Sequence, residues 1–305
     1  MIVATIGVGS NSVRMLIARI DGGTLASILR DRAGTRLFAG LDENGNMDVN
    51  AMELTALAVA EQVTSARAQN AREITVFATS AVRDAKNQQV FCDLIKKRTG
   101  IELEVLSGET EAALSFLGAA EESGYAGVID IGGGSTEVVI GTAEKFAYAF
   151  SHQLGAVRLF NMHKLDRVSD IEEVIRLGGK ILAAGPVLTP DTPDRWIGVG
   201  GTFTTLAAMV HKIVWTDSAC VHGLKITYDQ ALDTARLLAP MKKEERVGVI
   251  GMRPQRADIV VHGICILLSC MRLWGIGEII VSENGNLNGF LLNRYAHMFT
   301  ENSYK

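Results

Sequence analysis

Apolar runs of strand length open the chain and are joined by short polar turns. Residues 2–9 are largely apolar and β-branched, and a second such run extends from Val13 to Ile20. The polar residues Ser10-Asn11-Ser12 separate the two runs, and this pattern predicts two strands connected by a tight turn. A third strand is predicted near Leu25–Leu29.

The next stretch has the spacing of a helix rather than a strand. Its apolar stripe consists of Met52, Ala56, Val59, Ala60 and Val63. Residues spaced in this way lie on one helix face, so the stripe predicts a core-facing helix. Asn50 with Glu53 predicts a capping box at its start.

Strands and helices then alternate to the end of the chain. Further strands are predicted at Ile74–Ala78, Leu103–Leu106, Phe146–Ser151, Trp196–Val199 and Glu278–Val281. Helices are predicted at about 80–100, 108–122, 156–165, 169–184, 203–210, 228–238, 242–248 and 256–273, with a closing helix after Gly285. This alternation favours an α/β fold.

One glycine-rich stretch carries the clearest chemistry. Between Gly127 and Ile140, two β-branched runs flank three glycines, and each run contributes one carboxylate, Asp130 or Glu137. Glycine lets backbone N–H groups approach an anion, and Ser135 adds a hydroxyl. Phosphate that lies beside carboxylates usually needs a divalent cation between them. Asp130 and Glu137 therefore predict a magnesium site. The alternative is an ordinary tight hairpin with solvent-facing polar residues.

The same device occurs twice. Residues 6–17 align without gaps on residues 129–140, at a constant offset of 123. Gly7 falls on Asp130 and Arg14 falls on Glu137, so the first copy lacks both acids. The repeat predicts one strand–turn–strand unit in each half of the chain.

Bulk composition excludes several classes of protein. The chain has 305 residues, 48% of them hydrophobic, and a net charge of −4, which attracts neither nucleic acid nor an acidic membrane surface. Its four cysteines have no paired spacing, and Ile259 to Cys270 is too short to span a bilayer. We therefore expect a cytoplasmic protein without nucleic-acid or membrane partners. Ile259 to Leu273 is expected in the core, with a homodimer interface as the alternative.

Several separated motifs together carry a resemblance. They are Gly9-Ser10-Asn11-Ser12-Val13-Arg14, Ala78 to Ala85, Ser107 to Ala112, Asp130 to Glu137, Gly200-Gly201-Thr202 and Arg256-Ala257-Asp258. In this order and spacing they resemble the exopolyphosphatase/guanosine pentaphosphatase (Ppx/GppA) phosphatase family, in its short form without the C-terminal HD-type domain. The resemblance covers the whole chain.

The resemblance implies a fold and a reaction. The fold is the duplicated two-lobed α/β fold of actin, sugar kinases and heat-shock chaperone ATPases, with lobes at 1–122 and 123–305. The reaction is hydrolysis of a terminal phosphoanhydride of inorganic polyphosphate or guanosine pentaphosphate (pppGpp). By the same resemblance Glu111 is the catalytic residue that directs water, and Asp130 and Glu137 bind magnesium.

Phosphate-binding residues are expected in four places. They are Ser10, Asn11 and Ser12; Arg83; Gly133, Gly134 and Ser135; and Gly200, Gly201 and Thr202. The last group is a glycine turn opening a helix, which is itself a ready anion site. For Arg83 the alternative is an ion pair with Asp84 or Glu109, and for Glu109 and Glu111 it is compensation of a helix dipole.

Three positions depart from the family pattern. Gly7 stands where the family usually has Asp, and Ala113 and Leu287 stand where it usually has Arg. We expect Gly7→Asp to raise the rate or the magnesium affinity.

Three other functions share single features with this sequence. A sensor that binds phosphate chains but hydrolyses them poorly remains an alternative. A dinucleotide-binding enzyme is disfavoured because the third glycine of its fingerprint is missing. A kinase is disfavoured because the chain shows no acceptor-site signature.

Overall fold

The computed structural model describes residues 1–21, 24–42, 44–120, 124–187, 192–215, 218–296 and 298. Their contacts form two compact units. Unit 1 comprises Met1–Gly118 together with the chain from Asn286 onward, and unit 2 comprises Ala119–Gly285. The predicted lobe boundary, 122/123, falls among residues 121–123, which lie outside the described residues.

The elements follow the predicted alternation. The strands are β1 Ile2–Val8, β2 Ser12–Asp21, β3 Thr24–Gly34, β4 Glu73–Ala78, β5 Leu103–Val105, β6 Ala126–Ile131, β7 Thr136–Gly141, β8 Phe146–His152, β9 Trp196–Val199, β10 Lys225–Thr227 and β11 Glu278–Ser282. The helices are α1 Val49–Ala68, α2 Ser80–Arg83, α3 Gln88–Thr99, α4 Gly108–Ala119, α5 Ala156–Met162, α6 Asp170–Ala183, α7 Gly201–Val210, α8 Tyr228–Leu238, α9 Lys243–Val247, α10 Val260–Trp274 and α11 Asn286–Arg294. Short 3-10 helices cover Leu37–Gly40, Ser218–Val221 and Pro254–Arg256.

Each unit is built on its own sheet, and the two sheets have a similar topology. The first sheet has the order β3-β2-β1-β4-β5 and the second β10-β11-β9-β6-β7-β8. In each, an antiparallel meander (β1–β2–β3, or β6–β7–β8) is extended by parallel strands (β4 and β5, or β9 and β11). The second sheet adds β10 as an antiparallel edge. This confirms the predicted α/β fold and the predicted internal repeat.

The two hairpins of the repeat agree in register as well as in topology. In the first, Gly7 lies opposite Arg14, and in the second, Asp130 lies opposite Glu137. The turns are closed by equivalent bonds, because Gly9 N–H donates to Ser12 O at 3.1 Å and Gly132 N–H donates to Ser135 O at 3.0 Å. The offset of 123 therefore holds for backbone hydrogen bonds and for sequence alike.

Helix α10 forms the centre of the unit 2 core. Every residue from Ile259 to Met271 is buried, and the helix packs against α6 and α8. The prediction that this segment is core is confirmed, although Leu273 near its end is exposed. No helix among the described residues is both long and apolar enough to cross a membrane.

The closing helix belongs to unit 1, which corrects the assignment of residues 123–305 to one lobe. Phe290 of α11 stacks on Phe77 with ring centroids 4.8 Å apart, and Leu287 and Leu291 join the same buried cluster. The apolar face of α11 is thus buried against β4 and its neighbours, a long-range pairing that local sequence patterns do not encode.

Three of the local differences from prediction have a plain physical cause. The cap of α1 is Asp48, whose carboxylate accepts a hydrogen bond from Ala51 N–H at 2.9 Å, so Asn50 is not the cap. The helical region before Gly100 is two helices, α2 and α3, because the first ends at Asp84. Strand β10 was not predicted, since three residues give too little periodicity.

Loss of the α1 cap is expected to destabilise unit 1. Asp48→Ala removes the acceptor for an N-terminal N–H group and should cost about 0.5–2 kcal/mol. Asn50→Ala, two residues away, serves as the control and should change stability by less than about 0.5 kcal/mol. Urea denaturation monitored by circular dichroism measures both, and a larger loss for Asn50→Ala would contradict this cap assignment.

Unit 2 is expected to lose stability in mild acid. Burial lowers the pKa of His152 to about 4 and that of His262 to about 4. In the unfolded chain both return to about 6.5, so the unfolded state binds protons first and stability falls as pH drops from about 6.5 toward about 4. Denaturation midpoints between pH about 7 and about 4 should show this decline. His262→Gln, which keeps a donor for His163 O, should flatten it.

Candidate active site

The second hairpin presents a pair of buried carboxylates. Asp130 and Glu137 are directly opposed on β6 and β7, and they are 6% and 1% exposed. Ser151 of the neighbouring strand β8 donates a hydrogen bond to Glu137 Oε1 at 2.7 Å. Two carboxylates are therefore held side by side at the end of the hairpin that carries the glycine-rich turn.

That turn is fixed from the start of α5. Ala156 N–H donates to Gly132 O at 2.9 Å, Val157 N–H donates to Gly133 O at 2.9 Å, and Arg158 Nε donates to Gly134 O at 2.7 Å. These bonds occupy the carbonyl oxygens of the turn. Within the part of the chain that the structure describes, the N–H groups of Gly133 and Gly134 make no such bonds, so they remain available to an anion.

A second glycine turn, at Gly200-Gly201, lies against the carboxylate of Asp130. Gly200 has φ +96°, and a Cβ added to it would lie 2.8 Å from Asp130 Oδ1. At Gly201 the Cβ would collide with the guanidinium of Arg256, a buried side chain. The N-terminus of α7, a carboxylate and an arginine are thus brought together. Thr202 packs against Gly263 of α10, which directs its hydroxyl into the core.

The turn of the first hairpin is also buried, and polar contacts connect it to neighbouring segments. Ser10 Oγ and Ser80 Oγ are 3.0 Å apart, and Asn11 O accepts hydrogen bonds from the N–H groups of Thr35 and Arg36. Ser12 is buried beside them. The three predicted phosphate-binding residues therefore belong to one ordered turn, braced by the segment after β3.

Arg83 and Glu111 form an ion pair in unit 1. Arg83 Nη1 donates to Glu111 Oε2 at 2.9 Å and to Leu106 O at 3.1 Å, and its Nε lies 3.6 Å from Asp84 Oδ1. Glu111 is 5% exposed, whereas Glu109 lies in solvent. Dipole compensation thus suits Glu109, while Glu111 is a buried carboxylate oriented by a cation. Of the two partners proposed for Arg83, Asp84 is found and Glu109 is not.

A model of the Ppx/GppA phosphatase family matches residues 16–297. The chain belongs to the Ppx/GppA phosphatase family.

Individual Ppx/GppA proteins resemble it over most of its length. Exopolyphosphatase 2 of Mycobacterium tuberculosis is 32% identical over 314 residues, which cover 95% of this chain and 98% of that protein. The guanosine-5'-triphosphate,3'-diphosphate pyrophosphatase of Vibrio atlanticus is 30% identical and covers 92% of this chain and 56% of that protein. The crystal structure of the Aquifex aeolicus Ppx/GppA family member is 30% identical, with a TM-score of 0.80 over 97% of this chain and 98% of the other.

Sequence patterns do not identify every residue that supports this candidate site. Ser151 orients Glu137, and Arg158 holds the glycine-rich turn. Ser151 was predictable in principle, because extending the β7–β8 pairing places it opposite Glu137. Arg256 belongs to the Arg256-Ala257-Asp258 motif, but its position over Gly201 depends on a contact across 55 positions of sequence.

The position of Gly7 opposes the expectation that an added carboxylate would raise activity. A Cβ at Gly7 would lie 2.9 Å from Phe77 Cζ and 3.2 Å from Leu287 Cδ2. Both side chains are buried and apolar. A carboxylate at position 7 would therefore lie among packed apolar side chains. These side chains offer no oxygen ligands to a metal ion.

Gly7→Asp is expected to destabilise unit 1 without adding metal affinity. Overpacking alone should cost about 1–3 kcal/mol, and burial of a charge adds to it. Gly124→Asp is the matched control, because no atom lies within 4 Å of a Cβ at that position. Thermal denaturation compares the two variants, and a Gly7→Asp protein as stable as wild type with a higher magnesium affinity would contradict this view.

Proposed function

We propose that this chain hydrolyses terminal phosphoanhydride bonds, releasing orthophosphate from inorganic polyphosphate and from pppGpp. The single observation that carries the proposal is the buried carboxylate pair, Asp130 and Glu137, set beside two glycine turns that offer N–H groups. Family membership supports it, as do the names of the relatives, an exopolyphosphatase and a pppGpp pyrophosphatase. The exopolyphosphatase is matched over nearly its whole length, so we place polyphosphate first.

Magnesium is the proposed cofactor, and the donor set fits it. Among the described residues no group of three or more His, Cys, Asp or Glu side chains is placed to hold a metal. Magnesium commonly binds through one or two carboxylates and completes its shell with water and substrate phosphate. Asp130 and Glu137 would hold it. When bound, the ion neutralises charge on the phosphate oxygens.

Backbone donors and arginines would hold the phosphates. The N–H groups of the turn at Gly133-Gly134 and those at the start of α7 are suited to phosphate oxygens. Arg256 adds positive charge at the second of these turns. In unit 1, Arg83 Nη2 is buried and has no partner among the described residues, so this nitrogen remains to donate to a phosphate oxygen.

Glu111 is the proposed catalytic residue. Its carboxylate would orient the attacking water and accept its proton, and the bond from Arg83 fixes one of its oxygens in place. The alternative of a phosphate-chain sensor has no observation in its favour.

Phosphate release with magnesium tests the proposal directly. Wild type should release orthophosphate from polyphosphate, and Glu111→Gln should lower kcat by about 10²–10⁴-fold because the general base is lost. Glu109→Gln is the control, since Glu109 lies two residues away on the same helix but is exposed. If the wild-type protein releases orthophosphate no faster than the Glu111→Gln variant does, the hydrolase proposal is refuted. Parallel assays with pppGpp and ATP rank the substrates.

A further inference from the structure

Arg246, in the short helix α9, is a buried cation that hydrogen-bonds to main-chain carbonyls. Its side chain is 7% exposed. Its Nε donates to Leu238 O at 2.9 Å and its Nη2 donates to Ala239 O at 3.2 Å. Its Nη1 donates to Ala257 O at 3.1 Å and to Asp258 O at 3.5 Å. One guanidinium therefore joins two segments that lie on either side of it in the sequence.

The first of these segments is the end of helix α8. The helix ends at Leu238, and Ala239 is its C-cap. The last carbonyls of a helix have no partner within the helix and carry partial negative charge, so a cation is favourable there. Burial lowers the pKa of Arg246, and the nearby carboxylate of Asp166 opposes that shift. The carbonyls replace the water that the buried guanidinium has lost.

The second segment directly follows Arg256. The guanidinium of Arg256 occupies the space over Gly201, where a Cβ would lie 1.8 Å from its Nη2. Within the segment, Arg256 N–H donates to Arg253 O at 2.8 Å, a local bond that shapes a single turn. The bond from Arg246 to Ala257 O connects this turn to the end of α8. The main chain that carries Arg256 is therefore fixed from outside its own turn.

We propose that Arg246 is a positioning residue, whose guanidinium ties the segment after Arg256 to the end of α8 and so keeps Arg256 over the turn at Gly200-Gly201. This role rests on the proposed function, in which Arg256 adds positive charge where phosphate binds. Arg246 itself does not contact the substrate. It acts through Arg256, because a small shift of that main chain would move the guanidinium off the turn.

Lysine is not expected to replace this arginine. A guanidinium is planar and directs its N–H donors along fixed lines, whereas a lysine ammonium is a point charge on a flexible stem. Arg246→Lys therefore keeps the charge but loses the fixed link between the two segments. Arg256 should then move relative to Gly201, and phosphate should lose a directed donor.

Calorimetric titration with tripolyphosphate in the presence of magnesium measures this effect on the full-length protein. All titrated proteins carry Glu111→Gln, which blocks turnover. Arg246→Lys should weaken tripolyphosphate binding about tenfold, as expected for the loss of one charge-assisted hydrogen bond. Arg236→Lys makes the same chemical change at an exposed position of α8 and should leave the affinity unchanged.

A double-mutant cycle separates positioning from a merely structural role. Arg256→Met removes the guanidinium through which Arg246 acts, so adding Arg246→Lys to it should cost little further affinity. Thermal denaturation of the same proteins should behave differently. The stability lost with Arg246→Lys should persist in both backgrounds, because the carbonyls at the end of α8 lose their donor in each.

Circular dichroism shows whether each variant is folded. If Arg246→Lys does not fold, Arg246→Gln takes its place in the cycle, since it keeps an amide donor without burying a point charge. If neither variant folds, Arg246 serves the fold alone and the positioning role is refuted.

Two binding results would also overturn the role of Arg246. One is an affinity in Arg246→Lys equal to that in Arg236→Lys, and the other is an equal loss of affinity with and without the Arg256 guanidinium. Orthophosphate release from polyphosphate is measured separately, with Glu111 intact. Release by the wild-type protein together with either binding result would refute the positioning role and leave the proposed function intact. The expected binding pattern without release would do the reverse.

Discussion

The structure depends on one backbone hydrogen bond that occurs twice and closes the turn of each hairpin, from Gly9 N–H to Ser12 O and from Gly132 N–H to Ser135 O. A Cβ at Gly9 or Gly132 would press on the acceptor oxygen at 3.2 and 3.1 Å, so glycine favours this close turn. The bond fixes the register of the hairpin. The register in turn decides which side chains meet at its end, and in the second hairpin these are two carboxylates.

Equivalent backbones therefore carry different chemistry. In the second hairpin, Ser151 and the start of α5 hold Glu137 and the turn in place, so that charge and N–H donors lie together. In the first, α11 covers Gly7 and its Asn286 binds Arg14. The two copies of the repeat share one backbone arrangement, and the elements packed around each copy determine what that copy can bind.

Local patterns were sufficient for much of this. The repeat, both hairpins, the α/β alternation and the helix turn at Gly200-Gly201 all follow from glycine placement and periodicity within a few residues. What they missed is nonlocal. The pairing of Arg83 with Glu111 and the cover of Gly201 by Arg256 join residues far apart in sequence, and no local period reports such contacts. The cap of α1 was missed for a different reason, since Asp48 and Asn50 are both good capping residues two positions apart.

The contact between Gly7 and Leu287 changes the meaning of two departures from the family pattern. By sequence they are separate losses, an aspartate at one end of the chain and an arginine at the other. The structure places the two positions side by side within unit 1, where Leu287 Cδ2 lies 3.2 Å from a Cβ at Gly7. A charged side chain at either position would disrupt this buried apolar contact, which costs stability. The apolar contact of Leu287 with the backbone at Gly7 therefore packs α11 against the first hairpin within unit 1.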